Sequence, residues 1–345
     1  MYKKLILIVV AGFVALANAQ EIVHKDVLRS AADPMLPSYV PATHLTGQII
    51  SFGTDTMDDL MRAWIKDFTA LYPDVKIELQ SKASMSVPAA LTAGAAQLSP
   101  LSREMNPAEV ASFQSKYGYP PAEIKVALGS YRTPTRTVAL TFYVNAQNPI
   151  ARLDFAQLDA MWCTSLKRGA KSEITRWGQL GLTGAWADKP IHLIGVLPPD
   201  GVPNFISLRI CQGGPLREGI STEKNGGPVS VLTRIVQDVE KDPYAIGYAG
   251  FHNILPGTKQ VQLSVAPGGP YMKGTFDEVR TARYPMTRYV YIYVNAAPGH
   301  PMDPIVQEFL RYVLSRQGQL QIEQEGIFMP LPKAIDAEEL HRLTQ

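Results

Sequence analysis

The chain has 345 residues and a formal net charge of +2, and 46% of its residues are hydrophobic and 19% charged. These values are those of an ordinary globular protein, and the small net charge excludes the strongly basic surface of a nucleic-acid-binding protein. A chain of this length predicts two domains.

The first 19 residues have the pattern of a secretory signal peptide. Lys3 and Lys4 precede an apolar run from Leu5 to Leu16, and Ala17-Asn18-Ala19 matches a small-residue cleavage site. The run is shorter than a membrane span, and no other stretch approaches the required length. No cysteine follows the cleavage site to carry a lipid anchor. We therefore expect a soluble protein that is exported to the periplasm.

Residues 20–45 follow as an N-terminal arm. They show no helical or strand periodicity, and Pro34, Pro37 and Pro41 disfavour a helix. The sequence predicts an extended or loosely ordered segment here.

The first domain begins with a strand, a polar turn and an amphipathic helix. Gln48 to Phe52 is predicted as the strand, and apolar residues from Met57 to Leu71 repeat at helical spacing. Between them lies Gly53-Thr54-Asp55-Thr56. A helix start has unpaired N–H groups and a partial positive charge. The turn therefore has two interpretations: a side chain caps the helix, or the turn contacts an anion.

Two more polar turns follow along the chain. Val75 to Leu79 alternates as a strand and leads to Ser84-Met85-Ser86, which precedes a helix that starts near Pro88 and ends at Gly94. Ser102-Arg103 then precedes Asn106-Pro107, a strong helix start. In a sheet with parallel strands, all three turns lie at the carboxyl edge, where ligands bind.

The rest of the chain predicts a second α/β lobe and a return to the first. Two β-prone runs, 138–144 and 289–295, are interpreted as the crossings between lobes. In the second lobe a strand at 191–196 leads through a small-residue turn to an apolar helix. The last clear helix covers 306–314, with Gly318 past its end. We expect lobe I at 46–140 plus 286–335 and lobe II at 141–285.

The chain resembles the phosphate-binding proteins of ABC importers, which have the two-lobe type II periplasmic binding fold. The resemblance covers roughly residues 46–332. It is carried by short motifs in a fixed order: Gly53-Thr54-Asp55-Thr56, Ser84-Met85-Ser86-Val87, Leu101-Ser102-Arg103-Glu104-Met105, Asn148-Pro149, Trp177-Gly178-Gln179-Leu180-Gly181, Ala245-Ile246-Gly247-Tyr248, Tyr284-Pro285-Met286-Thr287-Arg288 and Gln317-Gly318-Gln319.

The resemblance implies a monomeric solute-binding protein that holds phosphate or a related oxyanion in the cleft between its lobes. Such a protein delivers its ligand to an inner-membrane ABC permease. It also implies a ligand site of hydroxyls, helix-start N–H groups and one charged contact, made in this chain by Thr54, Asp55, Thr56, Ser84, Ser86, Ser102, Arg103 and Asn204. Donors of this kind satisfy an anion that has lost its water.

The second-lobe turn departs from the family pattern. Where the family has an Arg followed by Ser-Gly-Thr, Pro198 occupies the Arg position and Val202-Pro203-Asn204 the Ser-Gly-Thr position. Prolines lack N–H donors, and Asp200 adds a negative charge. Half of the expected phosphate site is therefore missing. The alternative function is a non-transport interaction or sensing protein of the same fold, with an altered or lost anion site.

Several other polar residues have structural interpretations beside functional ones. Arg132 and Arg136 are further candidates for contacting the anion, or else are surface arginines. Arg288 is expected to brace the hinge. His192 and His252 are isolated, and no histidine has metal-ligand spacing.

Enzyme motifs are absent from the sequence: it has no Gly-x-Ser-x-Gly elbow, metalloprotease His pair or Walker loop. We therefore expect no catalysis, no metal and no cofactor. Cys163 and Cys211 are either bridged, as an oxidising compartment favours, or two separate buried thiols.

Overall fold

The computed structural model describes residues 28–42, 44–134, 137–198, 201–222 and 229–344. The predicted signal peptide, Arg136 and Asp200 lie outside these residues. Within them, no helix is long and apolar enough to cross a bilayer.

The described residues form a two-lobe α/β fold of twelve strands and ten α-helices. The strands are β1 Gly47–Thr54, β2 Val75–Lys82, β3 Ser99–Leu101, β4 Ala122–Leu128, β5 Leu140–Asn145, β6 Arg152–Asp154, β7 His192–Gly195, β8 Ser221–Thr222, β9 Ala245–Gly250, β10 Thr258–Gln260, β11 Gln262–Ser264 and β12 Tyr289–Val294. The helices are α1 Asp58–Leu71, α2 Val87–Ala93, α3 Pro107–Tyr117, α4 Phe155–Trp162, α5 Gly201–Arg209, α6 Val231–Lys241, α7 Phe276–Arg280, α8 Pro304–Val313, α9 Arg316–Glu325 and α10 Lys333–Arg342. The fold class predicted from the sequence is confirmed.

The strands of the first lobe bring the three polar turns to one edge. β1 and β2 are parallel over their whole length, and Ser51 forms a parallel bridge with Leu98, just before β3. β12 pairs antiparallel with both β3 and β4. The carboxyl ends of β1, β2 and β3 therefore lie together, as the sequence predicted.

The second lobe has its own five-stranded sheet, in the order β10-β5-β9-β7-β8. β7 is parallel to β8 and β9, while β5 runs antiparallel to β9. The strand β7 leads to α5 across the turn that departs from the family pattern. α5 therefore begins at the carboxyl edge of this sheet.

The two chain crossings lie side by side. The Gly129 N–H donates to the Arg288 carbonyl (2.8 Å) and the Leu140 N–H to the Met286 carbonyl (3.2 Å). These bonds join the chain around the run 138–144 to the residues just before the run 289–295, so the two segments lie side by side. The residue bounds of the two lobes stay a prediction.

The described part of the N-terminal arm has no helix or strand and packs on the first lobe. The buried Tyr39 hydroxyl donates to Glu308 Oε1 (2.6 Å), and the Tyr39 N–H donates to the Gln317 side chain (2.8 Å). The arm is thus extended, and it is fixed to the lobe by buried bonds.

The helix predicted as the last clear one is followed by two more. Gly318 lies past the end of the helix of residues 304–313, as predicted, but inside the next helix, α9, which is capped by the Ser315 hydroxyl. A Cβ at Gly318 would come within 2.4 Å of the Tyr312 and Val313 carbonyl oxygens. The glycine is needed for close packing of two helices, which a sequence pattern does not distinguish from a helix end.

Candidate functional site

The three hydroxyls of the first and third polar turns form a short chain. The Thr54 and Thr56 hydroxyl oxygens are 3.2 Å apart, and the Thr56 hydroxyl donates to Ser102 Oγ (2.8 Å). Thr54 is 2% exposed, whereas Thr56 and Ser102 are half-buried. The end of β1 and the end of β3 therefore place three hydroxyls together at the mouth of the first lobe.

Side-chain capping does not explain the first turn. Residues 55–57 form a 3₁₀ turn before α1, and neither Thr54 nor Met57, the two residues at the N-cap positions, makes a side-chain cap bond. Asp55 is exposed, and its carboxylate accepts a long bond from the Thr54 hydroxyl (3.4 Å). The capping interpretation is therefore wrong, and the first N–H groups of this turn have no side-chain acceptor in a cap.

The second turn brings one serine towards the third turn and leaves the other outside. Ser86 occupies the N-cap position of α2, but its exposed hydroxyl donates to the Ala83 carbonyl (2.8 Å) and caps nothing. Ser84 is half-buried, and its carbonyl accepts from Arg103 Nη2 (3.3 Å). The Ser84 backbone thus borders the site, while Ser86 lies at its rim.

Arg103 is buried, at 7% exposure, and is held by a carboxylate that the sequence analysis did not assign to the site. Its two terminal nitrogens donate to the two oxygens of Glu109 at 2.7 and 2.8 Å. This fork-to-fork geometry is the strong form of an Arg–carboxylate pair. Arg103 is therefore an ion-paired residue of the first lobe, and its charge is largely offset.

One face of α5 in the second lobe rests directly on this cluster. The buried Asn204 side chain donates to the Glu104 carbonyl (3.2 Å), and a Cβ at Gly201 would lie 3.1 Å from Arg103 Cδ. Phe205, on the same face, has the Arg288 guanidinium 5.0 Å above its ring. Residues spaced three and four apart share a helix face. Gly201, Asn204 and Phe205 therefore form one continuous contact surface against the first lobe.

A second buried ion pair completes the floor of the cleft. Arg288 Nη2 donates to Glu104 Oε2 (3.3 Å), and the Tyr291 hydroxyl donates to Glu104 Oε1 (3.1 Å). Burial, with the Glu104 charge beside it, raises the pKa of Tyr291 well above its usual range. The Arg288 carbonyl accepts from the Gly129 N–H, while its side chain contacts Glu104 and Phe205 of α5. The role of Arg288 in bracing a hinge stays a prediction.

The second-lobe turn offers few donors to an anion. Pro198 is exposed and has no N–H, and residues 199–200 lie outside the described part of the chain. Pro203 is buried in the first turn of α5, and the Asn204 side chain is used in the bond to Glu104. Of the eight predicted ligand residues, the structure brings Thr54, Thr56, Ser102 and Arg103 to one side of the cleft, and Asn204 to the other.

The remaining polar candidates lie away from this cleft floor or are paired. The exposed Arg132 places its guanidinium 5.1 Å above the Tyr131 ring. His192 pairs with Asp242 (2.6 Å). Burial, with the positive charge of Arg132, lowers the pKa of His252 to about 4, so this histidine is neutral at pH 7.

Cys163 and Cys211 form a disulfide, with their Cα atoms 5.6 Å apart. The bond ties the residue after α4 to the second residue after α5, and so fixes the far end of the helix that closes the cleft. Asp159 also lies beside these sulfurs. Because both sulfurs are in the disulfide, they offer no thiolate to a metal.

Glu104 and Glu109 contact the candidate site residues but were not predicted from the sequence as members of the site. A signal for Glu109 was present, since it lies three residues after Asn106 in a capping box and six residues after Arg103. Its second role, holding Arg103, depends on how the third turn folds back against α3. A linear sequence does not show that geometry.

Comparison with known proteins gives consistent results. A model of the PBP superfamily domain matches residues 40–317. The chain is 34% identical over 306 residues to the phosphate-binding protein PstS of Pseudomonas aeruginosa, which covers 89% of this chain and 90% of that protein.

Two solved structures have the same fold at low sequence identity. PstS from Borrelia burgdorferi is 18% identical with a TM-score of 0.52, and covers 83% of this chain and 99% of that one. An ABC-type phosphate transport receptor from Vibrio cholerae is 16% identical with a TM-score of 0.50, and covers 81% and 99%.

Proposed function

We propose a function from one premise: this chain belongs to the PBP superfamily and, within it, to the family of the phosphate-binding protein PstS. The protein is a solute-binding protein of an ABC-type importer. It binds phosphate or a related oxyanion in the cleft between its lobes and delivers it to an inner-membrane permease. It acts in the periplasm, as a monomer and without catalysis.

The hydroxyl chain of Thr54, Thr56 and Ser102 is the observation that carries this proposal. It lies at the carboxyl edge of parallel strands, beside the start of α1. Hydroxyl donors and helix-start N–H groups bind an oxyanion without adding a full charge. Arg103, which directly follows Ser102 in the chain, supplies the cationic contact.

Calorimetric titration of the mature protein with inorganic phosphate tests the proposal. We expect saturable heat and a rise in melting temperature, because a ligand that binds only the folded state stabilises it. Sodium chloride at the same ionic strength serves as a control for general salt effects. If millimolar phosphate gives no heat and no thermal shift, the proposed ligand is wrong.

A second candidate is a periplasmic interaction or sensing protein of the same fold that does not transport. It is favoured by the cleft contacts: Glu109 offsets the charge of Arg103, and Asn204 bonds to Glu104 across the lobes. A strain that lacks this protein distinguishes the two functions. If the deletion strain loses phosphate uptake and the wild-type gene restores it, transport is supported. If uptake by the deletion strain is unchanged although the purified protein binds phosphate, sensing is supported.

A further inference from the structure

Four of the five N–H donors of the Arg103 guanidinium are already used within the first lobe. Nη1 donates to the Glu104 carbonyl (2.9 Å) and to Glu109 Oε2 (2.8 Å). Nη2 donates to the Ser84 carbonyl (3.3 Å) and to Glu109 Oε1 (2.7 Å). An arginine carries five such donors. The fifth, on Nε, is buried and has no hydrogen-bond partner within the described residues.

The unused donor lies next to the first turn of α5. Nε is bonded to Cδ, and Cδ is the atom that a Cβ at Gly201 would approach to 3.1 Å. α5 is nine residues long, so its first turn has the partial positive charge of a helix start. A buried, unpartnered Arg donor and a helix start therefore meet at the same point of the cleft.

Glu109 determines how much positive charge reaches that point. Its backbone N–H donates to the Asn106 side chain (2.9 Å), and its Oε2 accepts from the Asn106 N–H (2.8 Å), which closes the capping box of α3. The carboxylate is thus fixed before any ligand arrives. It pairs with the Nη edge of Arg103, and so competes with an incoming anion for the charge of the guanidinium.

We propose that the first lobe supplies the cationic donor for the second-lobe half of the anion site, through Arg103 Nε beside the first turn of α5, and that Glu109 is the positioning residue that limits its affinity for phosphate. The proposal rests on the phosphate-binding function proposed above. It assigns the missing second-lobe arginine contact to a first-lobe residue, and it makes Glu109 an internal counter-ion that competes with the ligand.

The Glu109→Gln variant tests the role of Glu109 with little disturbance of the fold. Glutamine at the third helical position still closes a capping box, so α3 keeps its start while the charge is removed. We expect phosphate to bind about tenfold more tightly, because no carboxylate then competes with the anion for the Arg103 guanidinium. Asp277→Asn, which removes an exposed carboxylate paired with Arg280 and Arg283, is the matched control and leaves the affinity unchanged.

A double variant shows whether Glu109 acts through Arg103. We expect Arg103→Gln with Glu109→Gln to bind phosphate no better than Arg103→Gln alone. A purely structural role of Glu109 predicts instead that Glu109→Gln lowers the melting temperature and weakens binding. Unchanged or weaker binding in a folded Glu109→Gln protein overturns the inference, and so does tighter binding that persists without Arg103.

The result for the wild-type protein separates this inference from the function on which it rests. If the wild type binds phosphate but Glu109→Gln does not bind more tightly, only the role of Glu109 is wrong. If neither the wild type nor Glu109→Gln binds phosphate in calorimetry, the proposed function and this inference both fail. If Glu109→Gln alone binds, the counter-ion role is supported, and the wild-type protein is not a phosphate-delivery protein.

Discussion

The two sides of the cleft differ in what they offer to a ligand. The first lobe presents three clustered hydroxyls and one arginine, at the carboxyl edge of three strands that run in the same direction. The second lobe presents the start of α5, with Pro203 in its first turn and Asn204 bonded across the cleft. The proposed function therefore places recognition mainly in the first lobe, with α5 of the second lobe packed against it.

This difference shows how a two-lobe fold can keep a ligand site after one lobe has lost its charged contact. The face of α5 that contains Gly201, Asn204 and Phe205 packs on Arg103, Glu104 and Arg288. Closure thus uses direct contacts between the lobes. The proposed cationic donor on this side of the site, Arg103 Nε, then comes from the first lobe.

Arg103→Ala should have the largest effect, and it tests whether the first lobe carries recognition. The substitution removes the cationic donor, which is also the guanidinium that the half-buried Glu109 carboxylate pairs with. We expect a loss of phosphate binding of at least about a hundredfold. Calorimetric titration measures it, and unchanged affinity in this variant would remove Arg103 from the site.

Loss of the disulfide should have the largest effect on stability, as distinct from affinity, and it falls on the second lobe alone. Replacing both Cys163 and Cys211 by Ser opens a link between residues 48 apart in sequence, which predicts a loss of about 4 kcal/mol in the free energy of unfolding. Denaturant unfolding measures this change. Mass spectrometry of the wild type without reductant should find no free thiol, and two free thiols would contradict the bond.

A matched pair of variants compares hydroxyl and amide contacts in the two lobes. Thr54→Val keeps the shape of a buried side chain but removes its hydroxyl, so we expect a loss of about 2 kcal/mol in phosphate binding, as for a hydrogen bond to a charged group. Asn204→Ala removes a neutral bond between lobes, so we expect a loss of about 1 kcal/mol or less. A larger loss of phosphate affinity in Asn204→Ala than in Thr54→Val would contradict the proposal that the first lobe contributes more to anion binding than the second.

The pH dependence of stability should also differ between the lobes, with opposite signs. In the first lobe, burial, together with the charge of Glu339, raises the pKa of Asp336 to about 7, against about 3.9 in an unfolded chain. Between these two pKa values the folded state binds more protons than the unfolded state. The free energy of unfolding contributed by this group therefore falls as the pH rises from about 4 through 7. In the second lobe His252, with its pKa lowered to about 4, adds stability as the pH rises from about 4 to 6.5.

Asp336→Asn isolates the first-lobe contribution. Both carboxylate oxygens of Asp336 are buried without a hydrogen bond within the described residues, and an amide resembles the protonated form. We expect the variant to lose less stability than the wild type between pH 5 and 8, measured by thermal melts. An identical pH slope in the two proteins would show that Asp336 titrates normally.

Much of the fold was predictable from local patterns. The alternating run at Val75–Leu79 and the Asn106 capping box both appear where the sequence places them. These features depend on residues close in sequence, which a linear pattern contains. The helix that contains Gly318 was not predicted, because the close packing of Gly318 against Tyr312 and Val313 depends on the angle between two helices.

The candidate site was predictable only in part. The co-location of Thr54, Thr56 and Ser102 followed from parallel strands, once strand direction was assumed. The pairing of Arg103 with Glu109 and of Glu104 with Arg288 did not, because each pair depends on how turns and crossings fold back in three dimensions. Capping at Thr54 was a reasonable local interpretation that the 3₁₀ turn of residues 55–57 excludes.

A crystal structure of the mature protein with bound phosphate would test the central claim most directly. The account predicts an anion within hydrogen-bond distance of the Thr54 and Ser102 hydroxyls and of Arg103 Nε, against the first turn of α5. An anion held only by second-lobe groups, or bound outside the cleft, would contradict the claim that the first lobe carries recognition.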